Sequence, residues 1–153
     1  MQILLDADSC PRIARDMILR FSVRLKVPVV YAANRPIPYP DSIPKDLIRM
    51  EHCSAQEGSA DDRIVELARP GDLVITRDLP LAERLVDQGV DVLDDRGRVF
   101  TRENIRQLRS LRDFTVGLAE QGLDFERTPS YEKKDQQALA QGLDRELSRL
   151  LKG

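Results

Sequence analysis

Aspartates recur in this chain where a strand should end or a helix begin. They are Asp6 and Asp8 in ILLDADSCP, Asp61 and Asp62 in GSADDRIVELA, Asp78 in VITRDLPLA, and Asp94 and Asp95 in VDVLDDRG. In an open parallel sheet the strand carboxyl ends share one edge, and ligands bind in the crevice beside it. Acids from separate strands can therefore meet there. Two carboxylates about 4 Å apart repel by roughly 4 kcal/mol at an effective dielectric of about 20. A cluster of them needs protons or a divalent cation, and oxygen-only ligands suit Mg²⁺ or Mn²⁺. The leading expectation is a metal-dependent enzyme acting on phosphate esters. Asp6, Asp61, Asp62 and Asp78 would bind the metal, with Asp8 beside them.

Each acid also has an ordinary structural explanation. Asp6 follows Ile3-Leu4-Leu5, so its carboxylate starts near low dielectric and needs a partner. Asp8 or Ser9 can help cap the next helix. Asp61 and Asp62 sit in a helical first turn, where carboxylates favour the dipole, and Ser59 with Asp62 has the spacing of a capping pair. Adjacent helical side chains point about 100° apart, so both are not expected on one metal. Asp78 has the position of an N-cap, which can leave one oxygen for a ligand. Asp94 and Asp95 precede Arg96-Gly97 in ordinary turn chemistry.

Strands and helices alternate around these acids. Strands are expected at 2–6, 27–32, 47–53, 73–76 and 90–93, with Val99-Phe100 returning as a short one. Helices are expected after Pro11, with Ile13, Met17 and Phe21 together with Ala14 and Ile18 on the apolar face, from Ser59, and from Asp78 to a stop at Gly89. The segment 34–46 holds four prolines and reads as an extended loop. From about Thr101 the pattern is helical. Ile105, Leu108, Leu111, Thr115 and Leu118 share an arc that Gly122 would close. After an irregular stretch at 125–131, a last helix at 131–151 carries Leu139, Leu143, Leu147 and Leu150 as a stripe. The fold class is α/β: one domain over 1–153, an open, mainly parallel sheet with helices on both faces, and C-terminal helices.

Arg102, Arg106 and Arg109 share the polar face of the helix after Thr101. They are the candidate phosphate track feeding the acidic site, against the plain alternative of a solvated face. Arginine supplies nineteen of the twenty-four basic residues, a bias that codon usage in a GC-rich genome explains more readily than phosphate binding does. A net charge of −2 gives no global signal for nucleic acid. No apolar run reaches membrane-spanning length. The first residues read as a strand and not as a signal peptide, and two cysteines imply no disulfide framework, so a cytoplasmic protein is expected. Cys10, near a helix start, reads as a packing cysteine before a reactive one. His52 is the sole histidine, and zinc spacing is absent.

The strings DADSCP, GSADDRIVELA, GDLVITRDLPLAERLVDQG and RGRVFTRENI resemble the bacterial YaiI/YqxD family, from Met1 to about Arg112. That family is grouped with the PIN-like nuclease fold. The resemblance implies a parallel sheet, a divalent-metal site and RNA as a partner for cleavage. A PIN-type site has an Asp after the first strand, matching Asp6, and an acid on a helix, matching Asp61 or Asp62. It has an Asp in a T-x-D segment, matching Thr76 and Asp78, and Asp94 or Asp95 corresponds to a fourth position. Beyond Arg112, LDFERTPSYEKKD lacks the Gly-Gly-Pro of relatives.

Two other functions compete. Asp6-Ala7-Asp8 imitates the D-x-D of haloacid-dehalogenase-type phosphatases, with Asp6 as nucleophile and Asp8 as acid/base. That chemistry wants a later lysine, and none lies between Asp78 and Asp94. The other is a non-catalytic nucleic-acid-binding or regulatory protein that keeps the fold without turnover.

Overall fold

The computed structural model describes residues 1–54, 56, 58–120 and 130–152, with side chains for all of these except 115–120. The chain runs β1 (Ile3–Asp6), α1 (Arg12–Leu25), β2 (Val29–Ala33), β3 (Ile48–His52), α2 (Ser59–Leu67), β4 (Leu73–Ile75), α3 (Leu79–Asp87), β5 (Asp91–Leu93), α4 (Arg102–Glu120) and α5 (Lys133–Lys152). The five strands form one parallel sheet in the order β3-β2-β1-β4-β5. The strand order reverses between β1 and β4. Connections leave these neighbours in opposite directions, and a crevice opens at their carboxyl ends.

Apolar residues in short unbroken runs place this sheet between two layers. Ile3, Leu5, Val29, Tyr31, Leu73 and Ile75 face α1 and α5. Leu4, Val30, Ala32, Val74 and Val92 face the layer of α2, α3 and Ile105 of α4. The expected Leu139, Leu143 and Leu147 stripe is fully buried, so α5 belongs to the sheet's own core. The proline-rich loop contributes as well. It joins β2 to β3 without a helix, and Ile37 within it is buried on the α1 side.

Several local expectations need correction. Ile13 is 51% exposed, because the buried face of α1 centres on Ala14, Met17, Ile18 and Leu19. Leu111 is 62% exposed, so among the described side chains the apolar arc of α4 faces the core at Ile105 and Leu108 and has left it by Leu111. Neither Asp8 nor Ser9 caps α1, whose N-cap is Pro11 without a side-chain hydrogen bond. The Ser59–Asp62 capping pair does not form. Gly58 is the N-cap of α2, at φ 80°, a left-handed conformation that favours glycine. Val99 makes only an isolated antiparallel bridge to Leu93. The expectations for Gly122 and for 125–129 lie outside the described residues, as do those for the side chains of Thr115 and Leu118.

One close approach fixes the turn after β5. A Cβ on Gly142 would stand 2.9 Å from the Gly97 backbone, and one on Gly97 would stand 2.2 Å from the Ala138 carbonyl oxygen. The α5 backbone therefore lies directly on this turn. Tyr131 adds a hydrogen bond from its hydroxyl to the Asp95 carbonyl at 2.7 Å.

Candidate active site at the carboxyl edge of the sheet

Asp6 ends β1 and is 6% exposed. Its Oδ2 accepts hydrogen bonds from the Ser9 hydroxyl at 2.9 Å and the Thr76 hydroxyl at 2.8 Å. Thr76 follows β4, the strand beside β1 at the reversal point. The same Thr76 oxygen accepts the Asp78 backbone N–H at 3.0 Å. One hydroxyl thus couples the two acids nearest the crevice. Asp78 caps α3 as expected, its Oδ1 accepting the Leu81 N–H at 3.0 Å.

Asp8 is held from β2. Its Oδ2 accepts the Asn34 backbone N–H at 2.7 Å, and Arg35 Nε lies 3.3 Å from its Oδ1. Ser59 ties the start of α2 to this edge, with Oγ 3.1 Å from Asn34 Oδ1 and 2.7 Å from the Ser54 carbonyl oxygen. That anchoring sets the phase of α2. Asp61 is turned inward, and Asp62 is turned outward to pair with Arg84 at 2.9 Å.

Asp6, Asp8, Asp61 and Asp78 consequently line one cavity of about 270 Å³ with Ser9 and Asn34. No Lys, Arg or His is among its described lining residues. The electrostatics follow. Burial raises the Asp6 carboxyl above its ordinary range; the Thr76 and Ser9 hydroxyls oppose this, and Asp78 and Asp8 add to it. Burial, then Asp78 and Asp6, push Asp61 up to about 6. These are carboxylates that repel one another in partial desolvation.

Asp94 and Asp95 do not line this cavity. Asp94 Oδ1 accepts the Arg96 and Arg98 backbone N–H groups, which is the turn role anticipated from Asp-Arg-Gly. Asp95 has a side chain only 3% exposed and is gripped by Arg77 through Nε, at 3.0 Å, and Nη2. Cys10 is a packing cysteine, with its thiol pushed up to about 12 by burial and by Asp95. Arg102, Arg106 and Arg109 do share a groove, lined also by Glu83, Asp87 and Asp113, and none of the acidic cavity's residues line it. Arg102 pairs with Asp87 at 3.4 Å and Arg109 with Glu83 at 2.6 Å.

The comparisons with known proteins agree with one another. A family model described as "Uncharacterized BCR, YaiI/YqxD family" matches residues 4–149. The chain belongs to the YaiI/YqxD family. Membership extends past Arg112, so the divergent segment does not end the likeness. A UPF0178 protein of Myxococcus xanthus is 43% identical over 157 residues, covering 99% of this chain and 97% of the relative. One from Treponema denticola is 44% identical over 152 residues, covering 99% and 95%. One from Pseudomonas putida is 39% identical over 153 residues, covering all of both chains. No solved structure matches the chain. Among the described residues of this YaiI/YqxD protein, no helix is long and apolar enough to cross a membrane.

Ser9, Asn34 and Ser59 are not site candidates in the sequence, and Thr76 enters there only as the first residue of the T-x-D segment. Asn34 and Thr76 carried a usable signal, since each directly follows a buried strand whose carboxyl end lies at the same sheet edge.

Proposed function

We propose that this protein is a divalent-metal-dependent phosphodiesterase, a nuclease acting on RNA, with Asp6, Asp8, Asp61 and Asp78 as its working residues. The observation that carries the reading is the meeting of four aspartates from three chain segments in one cavity at the strand-order reversal; no cation is among the described lining residues, and Arg35 pairs with Asp8 from outside them. The resemblance of the Asp6, Asp61 and T-x-D positions to PIN-type nuclease sites supports it.

The residues suit Mg²⁺ or Mn²⁺ by donor type, since the cavity offers carboxylate, hydroxyl and amide oxygen. Among the described residues, no three His, Cys, Asp or Glu side chains already stand close enough to hold an ion. Direct coordination by Asp6, Asp61 and Asp78 together therefore requires one of these side chains to move inward, and Asp61 is the one whose carboxylate no hydrogen bond among the described residues restrains. Asp6, Asp61 and Asp78 would hold the ion. A bound divalent ion would supply an activated water and charge stabilisation for a phosphoryl group. The protein's own part is positional. Ser9 and Thr76 fix Asp6 through Oδ2, and Oδ1 accepts no hydrogen bond among the described residues. Asn34 fixes Asp8, and the α3 cap fixes Asp78.

A haloacid-dehalogenase-type reading would want a lysine at the site, and none is among the described lining residues. The test is cleavage of a labelled single-stranded RNA with Mn²⁺, Mg²⁺ or EDTA. Metal-dependent cleavage lost in Asp6→Asn and Asp78→Asn supports the reading. Binding of RNA without any cleavage under all three conditions supports the non-catalytic alternative.

A further inference from the structure

Asp78 lines a second, larger cleft as well as the acidic cavity. This cleft encloses about 630 Å³ between the turn after β5 and the helices α3 and α4. Four arginines line it: Arg77, Arg96, Arg98 and Arg112. Its acids are largely spoken for. Asp94 Oδ1 is turned to backbone N–H groups, and the Asp95 carboxylate is held by Arg77. Arg98 and Arg112 are exposed and point no charge into an ion pair among the described salt bridges. The rest of the wall is apolar, formed by Leu79, Pro80, Phe100 and Leu108.

The groove of Arg102, Arg106 and Arg109 differs in charge. Three basic residues there face three acidic ones, and two of the arginines are already paired. A polyanion gains less where each guanidinium must first leave a carboxylate. The cleft beside Asp78 has four basic residues against three acids; Arg77 pairs with Asp95 and Arg96 with Asp135 at 3.3 Å, while Arg98 and Arg112 stand outside the ion pairs of the described residues. It also adjoins the acidic cavity directly.

We infer that the cleft between the β5 turn and α4 binds a single-stranded polynucleotide and delivers it past Asp78 to the acidic cavity. Arg98 and Arg112 contact its phosphates, and Leu79, Pro80 and Leu108 offer apolar surface to an unstacked base. The delivery step rests on the phosphodiesterase reading, whereas the binding step does not. Unpaired bases expose faces that apolar walls can cover, and a basic groove tracks the backbone beside them. A duplex buries those faces in its own stack.

The experiment is fluorescence anisotropy of labelled oligouridine in EDTA over a salt series. It compares wild type, Arg98→Ala/Arg112→Ala, and Arg102→Ala/Arg106→Ala/Arg109→Ala. All three positions of the second set and both of the first are surface side chains, and circular dichroism confirms that each variant is folded. The double variant should bind about tenfold more weakly, with a salt slope shallower by roughly 1.4 for two lost phosphate contacts. The triple variant should stay within about twofold of wild type, and a duplex of equal length should bind about tenfold more weakly than the single strand. An unchanged double variant, or a loss carried by the triple variant instead, overturns the inference, as does equal binding of the duplex. A parallel cleavage assay with Mn²⁺ on wild type and the double variant separates the two readings. Binding that depends on Arg98 and Arg112 without metal-dependent cleavage in wild type refutes the nuclease and keeps the cleft. Cleavage indifferent to Arg98 and Arg112 refutes the cleft and keeps the nuclease.

Discussion

The Thr76 hydroxyl donates to Asp6 Oδ2 at 2.8 Å across the two parallel strands where the strand order reverses. It is 1% exposed and also accepts the Asp78 N–H. Replacing it with valine keeps the shape and removes both bonds. Thr76→Val should cost about 1–3 kcal/mol of stability, because a buried carboxylate and a backbone donor lose a partner. Support for a ligating carboxylate is commonly worth about 10–100-fold in metal affinity or activity. Mn²⁺ affinity should fall by that order. A valine variant with unchanged metal affinity would show that Thr76 serves the fold alone.

Asp61 makes stability depend on pH in the metal-free protein. Its folded value of about 6 lies above its ordinary 3.8. The folded state therefore holds the proton more tightly than the unfolded chain. The associated stability is fully present below pH 3.8 and is lost as pH rises through about 6. Half exposure and solvent screening reduce the effect to on the order of 1 kcal/mol. Denaturant melts in EDTA should show Asp61→Asn more stable than wild type at pH 7.5 and the gap closing toward pH 4. A constant gap across that range would contradict the assignment.

The neighbouring aspartates should behave differently. Asp62 is exposed and pairs with Arg84 at 2.9 Å. Asp62→Ala should cost roughly 0–1 kcal/mol, as exposed pairs do, and leave RNA cleavage within about twofold. Asp61→Ala should lower cleavage by about 100-fold if it holds a metal that supplies several kcal/mol of transition-state stabilisation. Equal losses in both variants would mean that the phase of α2 does not select the working acid. Steady-state cleavage rates with Mn²⁺ decide this.

Packing of α5 on the β5 turn gives a prediction away from the chemistry. A Cβ at Gly142 would meet the Gly97 backbone at 2.9 Å. Overpacking costs about 1–3 kcal/mol, against about 1 kcal/mol gained from alanine's helix propensity. Gly142→Ala should therefore melt lower than wild type. An increase in melting temperature would show that α5 can shift off the turn without loss.

The parts of the site that were legible in the sequence are those fixed by strand ends. Asp6 and Asp78 each follow a short apolar run, and parallel pairing of β1 with β4 then brings them together. The choice between Asp61 and Asp62 was not legible. It depends on where α2 starts, and Ser59 turned to Asn34 and Ser54 while Gly58 took the cap. Ile13 fitted the helical period of α1 yet faces solvent, because one residue of phase decides which side meets the sheet. The arginine stripe of α4 was visible as a periodicity, but its pairing with Glu83 and Asp87 depends on how α4 packs against α3. The cleft of Arg98 and Arg112 joins a turn to a distant helix face, a proximity that only the packed fold creates.

The most direct measurement is single-turnover cleavage of a labelled single-stranded RNA by wild type and Asp6→Asn, in Mn²⁺ and in EDTA. Asp6→Asn keeps the size of the side chain and its contact with the Thr76 hydroxyl, while removing the negative charge. The expected result is cleavage by wild type in Mn²⁺ alone, with the asparagine variant slower by at least about 100-fold and still folded. Cleavage that persists in EDTA, or an asparagine variant as fast as wild type in Mn²⁺, would contradict a metal-dependent site built on Asp6.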